Sequence, residues 1–170
     1  MNALVIENEF LVDTKVTDFL DEHKDKFESV TELICCLKRT PDEMLHYLTK
    51  YDTYILASSF MYTDQLNHFL NLFLKPEFPV KTIFVDDIAY RLNNWLSERY
   101  GSKIEYAELV KKVLDKGFII YDYYDGKGGA IVYSQVVYSK EDNVFYHKDV
   151  TEDDMFGLTK QEAIENNTKK

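Results

Sequence analysis

The chain has 170 residues, 30 acidic against 20 basic side chains and a formal net charge of −10, with 45% apolar and 15% aromatic content. That apolar fraction excludes a disordered chain, and the length suits a single domain, residues 1–170, able to bury a full core. The negative charge opposes direct binding of nucleic-acid phosphates and anionic membranes, and it suits a basic protein partner or a metal ion.

Residues 3–7 read as a first strand, apolar until Glu7, in the manner of a buried parallel strand. Nothing basic precedes this run and none is long enough to span a bilayer, so the expectation is a cytoplasmic protein without signal peptide or membrane anchor. From 13 to 27, Val16, Phe19, Leu20 and Phe27 recur at helical spacing. Residues 30–37 read as a second strand, although Ser29 and Glu32 match a capping box that would open a helix instead. Cys35 and Cys36 are the only cysteines; adjacent thiols are poorly placed for a disulfide, so both are expected reduced.

Thr40, Pro41 and Glu43 mark the start of a helix over 41–51. A third strand follows at 54–58, a helix at 64–74 stopped by Pro76 and Pro79, and a fourth strand at 80–85. A helix over 88–100 would end on Gly101 as a left-handed cap, and a capping box from Ser102 to Glu105 would open another, closed by Gly117. Then the texture changes. Segments 118–123, 130–139 and 144–147 read as three strands joined by the short turns at 125–129 and 140–143. Thr159 and Glu162 suggest a short last helix before a polar tail. The predicted architecture is α/β: a mostly parallel sheet flanked by helices over 1–117, an antiparallel three-strand meander over 118–150, and a short helix and tail over 151–170.

Parallel strands gather their trailing residues on one edge, where such sheets bind ligands. Glu7, Glu9, Ser58, Ser59, Asp86 and Asp87 would emerge there. Glu7, Asp86 and Asp87 are oxygen donors suited to Mg²⁺, and Ser58, Ser59 and Thr63 could touch phosphate beside a helix amino terminus. The competing reading is that these acids and hydroxyls cap the helices that follow them. Asp125-Gly-Lys-Gly-Gly129 lacks the spacing of a phosphate loop and reads as a hairpin turn. His23, His46, His68 and His147 are scattered, with no pair at ligand spacing; the first three fall on helices at exposed or boundary faces. No nucleophile motif accompanies them.

Val5-Ile-Glu-Asn-Glu9 resembles the opening acidic motif of response-regulator receiver domains, and Lys50-Tyr-Asp-Thr-Tyr-Ile-Leu-Ala57 resembles the run leading to their phosphoacceptor. The resemblance covers residues 3–100 and implies receiver- or flavodoxin-like βα units. Where the family carries its phosphoacceptor aspartate this chain has Ala57, and no hydroxyl-then-lysine pair follows, so a phosphorylated receiver is disfavoured. Glu7 is also compatible with a Toprim-type core, but Asp86-Asp87-Ile88 lacks the spaced second aspartate.

The meander is crowded with tyrosine: Tyr121, Tyr123, Tyr124, Tyr133, Tyr138 and Tyr146. Tyrosine supplies apolar area with a polar tip, the chemistry of an interface, although cross-strand stabilisation uses it equally. Alternation puts Tyr121 and Tyr123 on one face and Tyr124 on the other. The function expected from these features is an acidic, non-catalytic module binding a basic protein through the tyrosines. An inhibitor, an immunity or anti-defence factor of a phage or mobile element, or a regulatory subunit would fit, with no cofactor. The alternative is a Mg²⁺-dependent enzyme acting on a phosphorylated or nucleotide-like substrate at the strand carboxyl edge.

Overall fold

Short β-branched and aromatic runs, each too brief for a helix, pair into one seven-stranded mixed sheet in the computed structural model of the chain. The structure describes residues 2–8, 14–35, 50–57, 60, 66–76, 82–86, 88–98, 101–125, 127–129 and 131–156. The strands are β1 (Asn2–Asn8), β2 (Ser29–Cys35), β3 (Thr53–Leu56), β4 (Thr82–Asp86), β5 (Ile119–Asp125), β6 (Ile131–Ser139) and β7 (Val144–Asp149). Their order is β2-β1-β3-β4-β5-β6-β7. Pairing is parallel from β2 through β5, then antiparallel from β5 to β6 and from β6 to β7. The meander therefore extends the sheet edge.

Period-two alternation divides the strand residues between two cores. On one face Leu4, Ile6, Tyr54, Leu56, Ile83, Val85 and Ile120 pack under α2 (Leu66–Phe73), α3 (Ala89–Leu96) and α4 (Ser102–Asp115). On the other, Ala3, Val5, Ile55, Phe84, Tyr121 and Tyr123 pack with Phe19 of α1 (Thr14–Glu22) and Met155 of α5 (Glu152–Phe156). Because β1 and β3 are covered on both sides, their apolar runs are continuous rather than alternating.

Segment 30–37 is a strand through Cys35, as its apolar density indicates. Ser29 caps no helix; its Oγ donates to Asn2 Oδ1 at 3.0 Å, and Asn2 pairs with Ser29 at the start of the ladder. Two helix-end expectations need correction. α3 stops at Leu96, and Gly101 (φ 110°, ψ 177°) is the N-cap of α4 rather than a left-handed cap of the preceding helix. Ser102 is accordingly already inside α4. Gly117 does close α4 with φ 101°.

The predicted helices at 41–51 and 159–162 lie outside the described residues, apart from Lys50 and Tyr51. One helix escaped the sequence reading. Thr151 Oγ1 accepts the Asp154 N–H at 3.1 Å while Asp154 Oδ2 accepts the Thr151 N–H at 3.3 Å, a reciprocal cap that opens α5. Aspartate fills the place where the usual signature has Glu or Gln, which hid it. At the hairpin turns, Gly128 and Gly129 take φ of 77° and 78°, and Asn143 takes 51°, each in the left-handed region.

Candidate functional site

Side-by-side parallel strands bring the ends of β1 and β4 to one edge with β3 between them, about 10 Å apart at two strand spacings. Glu7 lies near the end of β1, opposite Ile34, and Asp86 ends β4. Asp87, Ser58, Ser59 and Thr63 lie outside the described residues. Asp86 is buried, only 4% exposed, and its Oδ2 is 3.4 Å from Lys15 Nζ on α1. Lys15, Asp18, Asp86, Tyr123, Tyr124 and Ile131 line a cleft of about 30 Å³, room for about one water molecule. Among the described residues no three His, Cys, Asp or Glu side chains gather as a metal site.

Asp86 is not the N-cap residue of the next helix. Ile88 is the N-cap of α3, and its N–H is accepted at 3.2 Å by Asp122 Oδ2, reaching over from β5. Asp122 is wholly buried and is a hub the sequence reading missed. Its Oδ1 accepts a short hydrogen bond from Ser134 Oγ of β6 and lies 3.1 Å from His147 Nδ1 of β7. Ser134 Oγ is itself 2.8 Å from the same Nδ1. A nucleophilic serine needs its imidazole between hydroxyl and acid, one nitrogen for each. Here one nitrogen faces both, the serine proton goes to the acid, and Ser134 is fully buried. The trio is thus a structural seam that ties β5, β6, β7 and α3 together. An acid between Tyr121 and Tyr123 in an apolar strand was its signal.

The tyrosines part company. Tyr121 and Tyr123 are core residues, 8% and 2% exposed. Tyr121 stacks on Phe84 and Tyr123 on Phe19, and Tyr121 OH donates to the Asp154 carbonyl at 3.2 Å. Burial pushes the Tyr121 phenol up, with the Asp154 charge adding to it. Tyr133 is half-buried beside His23. That histidine is 2% exposed, which corrects the expectation of a boundary position. His23 Nδ1 donates to the Phe19 carbonyl at 2.7 Å, because a carbonyl can only accept. Nε2 lies 2.8 Å from Tyr133 OH and 3.4 Å from Glu152 Oε1. Burial, with Glu152 and Glu22 adding to it, pushes the Tyr133 phenol up to about 12, so Tyr133 stays protonated near neutral pH.

Tyr124 packs against His147 at 5.0 Å between ring centroids. Tyr138 lies 4.7 Å beneath Lys111 of α4, and its hydroxyl donates to Asn143 Oδ1 at 2.5 Å. Tyr146 alone of the six is strongly exposed, at 47%.

Tyr146 has company. On β7, Val144 and Tyr146 alternate with buried Phe145 and so face away from α3. Tyr146 sits opposite Val137 of β6, and Ile119 shares the parity of Tyr121 on β5. Ile119, Val144 and Tyr146 are 36%, 40% and 47% exposed, so the outer face of the last three strands carries a water-facing apolar patch. On the same sheet face, α5 meets Tyr121 and presents Glu152, Asp153 and Asp154 to solvent. The aliphatic members of this patch were legible as strand residues, but nothing in one sequence says which face a helix will cover.

An α/β protein with a seven-stranded mixed sheet is the class this architecture defines. No protein-family model and no curated protein matches the chain. Among the described residues no helix is long and apolar enough to cross a membrane.

Proposed function

We propose that this chain is a non-catalytic protein-binding module that docks on a basic partner through the outer face of β5, β6 and β7. Acting as an inhibitor, an immunity or anti-defence factor of a phage or mobile element, or a regulatory subunit, it would work in the cytoplasm by occupying its partner's surface. The observation that carries the reading is the exposed set of Ile119, Val144 and Tyr146 on the sheet face that α5, with its acids, also covers in part. An aromatic anchor flanked by aliphatic side chains and rimmed by charge is the make-up of an interface centre. The net charge of −10 would steer a cationic partner and speed association.

The test is cross-linking in the native cell lysate followed by titration of the recovered partner with purified chain. Tyr146→Ala is expected to weaken binding by at least tenfold while changing stability by no more than about 0.5 kcal/mol, as for other exposed positions. Affinity should fall as salt rises. A partner that binds Tyr146→Ala and parent alike, with no salt dependence, removes the reading.

A Mg²⁺-dependent enzyme at the strand carboxyl edge is the second reading, supported by the buried carboxylate of Asp86 at the end of β4. It competes with the ammonium of Lys15 for the same oxygen. A thermal shift with Mg²⁺ or Mn²⁺ that Asp86→Asn abolishes would favour it.

A further inference from the structure

An edge strand carries a row of backbone N–H and C=O groups with no strand to meet them, and natural sheets must cover that row or risk pairing with another chain. β7 ends the strand order, so its outer side is such an edge among the described residues. Asn93, from the middle of α3, meets it. Its Oδ1 accepts the Phe145 N–H at 2.7 Å, and its Nδ2 donates to the Phe145 carbonyl at 2.7 Å. The partners fix the orientation of the amide, since an N–H only donates and a carbonyl only accepts.

A carboxamide holds one acceptor and one donor in a plane, as a peptide group does. Gripping both main-chain groups of one residue is what a neighbouring antiparallel strand does at a hydrogen-bonded pair. Phe145 is buried on the α3 side, so its ring fixes the height at which the clamp closes. Asparagine inside a helix is a poor helix former next to Ala or Leu, which leaves the clamp as the reason for its place. Asn94 beside it is exposed and bonds no part of β7 among the hydrogen bonds described.

We propose that Asn93 acts as a one-residue surrogate strand that closes the β7 edge and keeps the sheet from adding a strand of a second copy of this chain. Strand addition needs a run of consecutive outward groups, and occupying Phe145, the second residue of a six-residue strand, takes the first outward pair from that run. The inference is independent of the binding reading, because it concerns the edge of β7 and not the face that carries Tyr146.

Two measurements test it. In the unmodified protein, hydrogen exchange should find the Phe145 amide protected although it points away from β6; exchange as fast as an open loop amide overturns the proposal. This readout needs no variant to fold. In Asn93→Ala, the Phe145 amide should exchange about tenfold faster, the worth of one hydrogen bond. Light scattering should show a concentration-dependent gain of dimer or larger species, which Asn94→Ala should lack. An Asn93→Ala protein that folds, and stays at the parent's mass across the concentration range, overturns the guarding role.

Discussion

All four residues of β3 are buried, whereas β7 buries Phe145, half-buries His147 and leaves Val144, Tyr146, Lys148 and Asp149 in water. The two strands belong to one sheet and differ in how the chain enters them. Each parallel neighbour of β3 requires a crossover long enough to lay structure over a face, so this half is covered on both sides. β6 and β7 arrive through short connections that bring no α-helix with them among the described residues. The helices they meet, α3 on one side and α5 near Tyr133, come from elsewhere, and among the described residues the remaining outer face is open. Apolar contacts on two faces hold the parallel half. The antiparallel half relies more on polar ties: the Asp122 seam, the Asn93 clamp and the capped α5.

The largest blow to that picture should come from Asp122→Ala, which strips the acceptor from Ser134 Oγ, the Ile88 N–H and His147 at once. A loss of about 2–5 kcal/mol is expected, since the Ser134 hydroxyl and the Ile88 N–H are left as buried donors without an acceptor, about 1–3 kcal/mol apiece. Urea unfolding with an unchanged slope would measure it; a loss below about 1 kcal/mol would mean that the seam contributes little. Thr151→Ala sharpens the comparison on a smaller scale. Removal of the α5 cap should cost about 1 kcal/mol, and the added exposure of Tyr121 should register in its fluorescence or exchange before global unfolding.

A third effect, absent at neutral pH, is a pH dependence in alkali. Tyr133 is held near 12 in the fold against an ordinary value of 10.0, and burial raises the Tyr54 phenol as well. The folded state thus keeps protons that the unfolded state releases. Stability from these groups is whole below pH 10 and falls as pH rises through the folded value near 12. Tyr133→Phe should flatten the decline of the unfolding midpoint between those limits, and an unaltered profile would deny Tyr133 any part in it.

Much of the scaffold was legible because hydrophobic periodicity is a local property. The four early strands, α1, α2 and the two hairpins follow from runs such as 3–6, 53–56 and 131–139. The parallel direction followed from the helical stretches between them. The candidate site was less legible. Tyr121 and Tyr123 looked like interface residues because tyrosine has the same chemistry in a core and on a surface; the cover provided by Phe19, Met155 and Phe156 decided between them. Asp86 reads in the sequence as a cap or a ligand, and the structure sets it beside Lys15, a residue distant in the chain.

The sequence by itself determined the strand–helix rhythm, the change to hairpins after Gly117 and the acidic character of the whole, since each depends on residues near one another or on simple composition. Tertiary structure alone decided which face of the last strands the described residues leave exposed, that Asp122 meets the Ile88 N–H at the start of α3, and that Asn93 meets the β7 edge. Those outcomes depend on contacts between residues 34 to 52 positions apart. No local pattern encodes such distances; they follow from how seven strands stack into a single order.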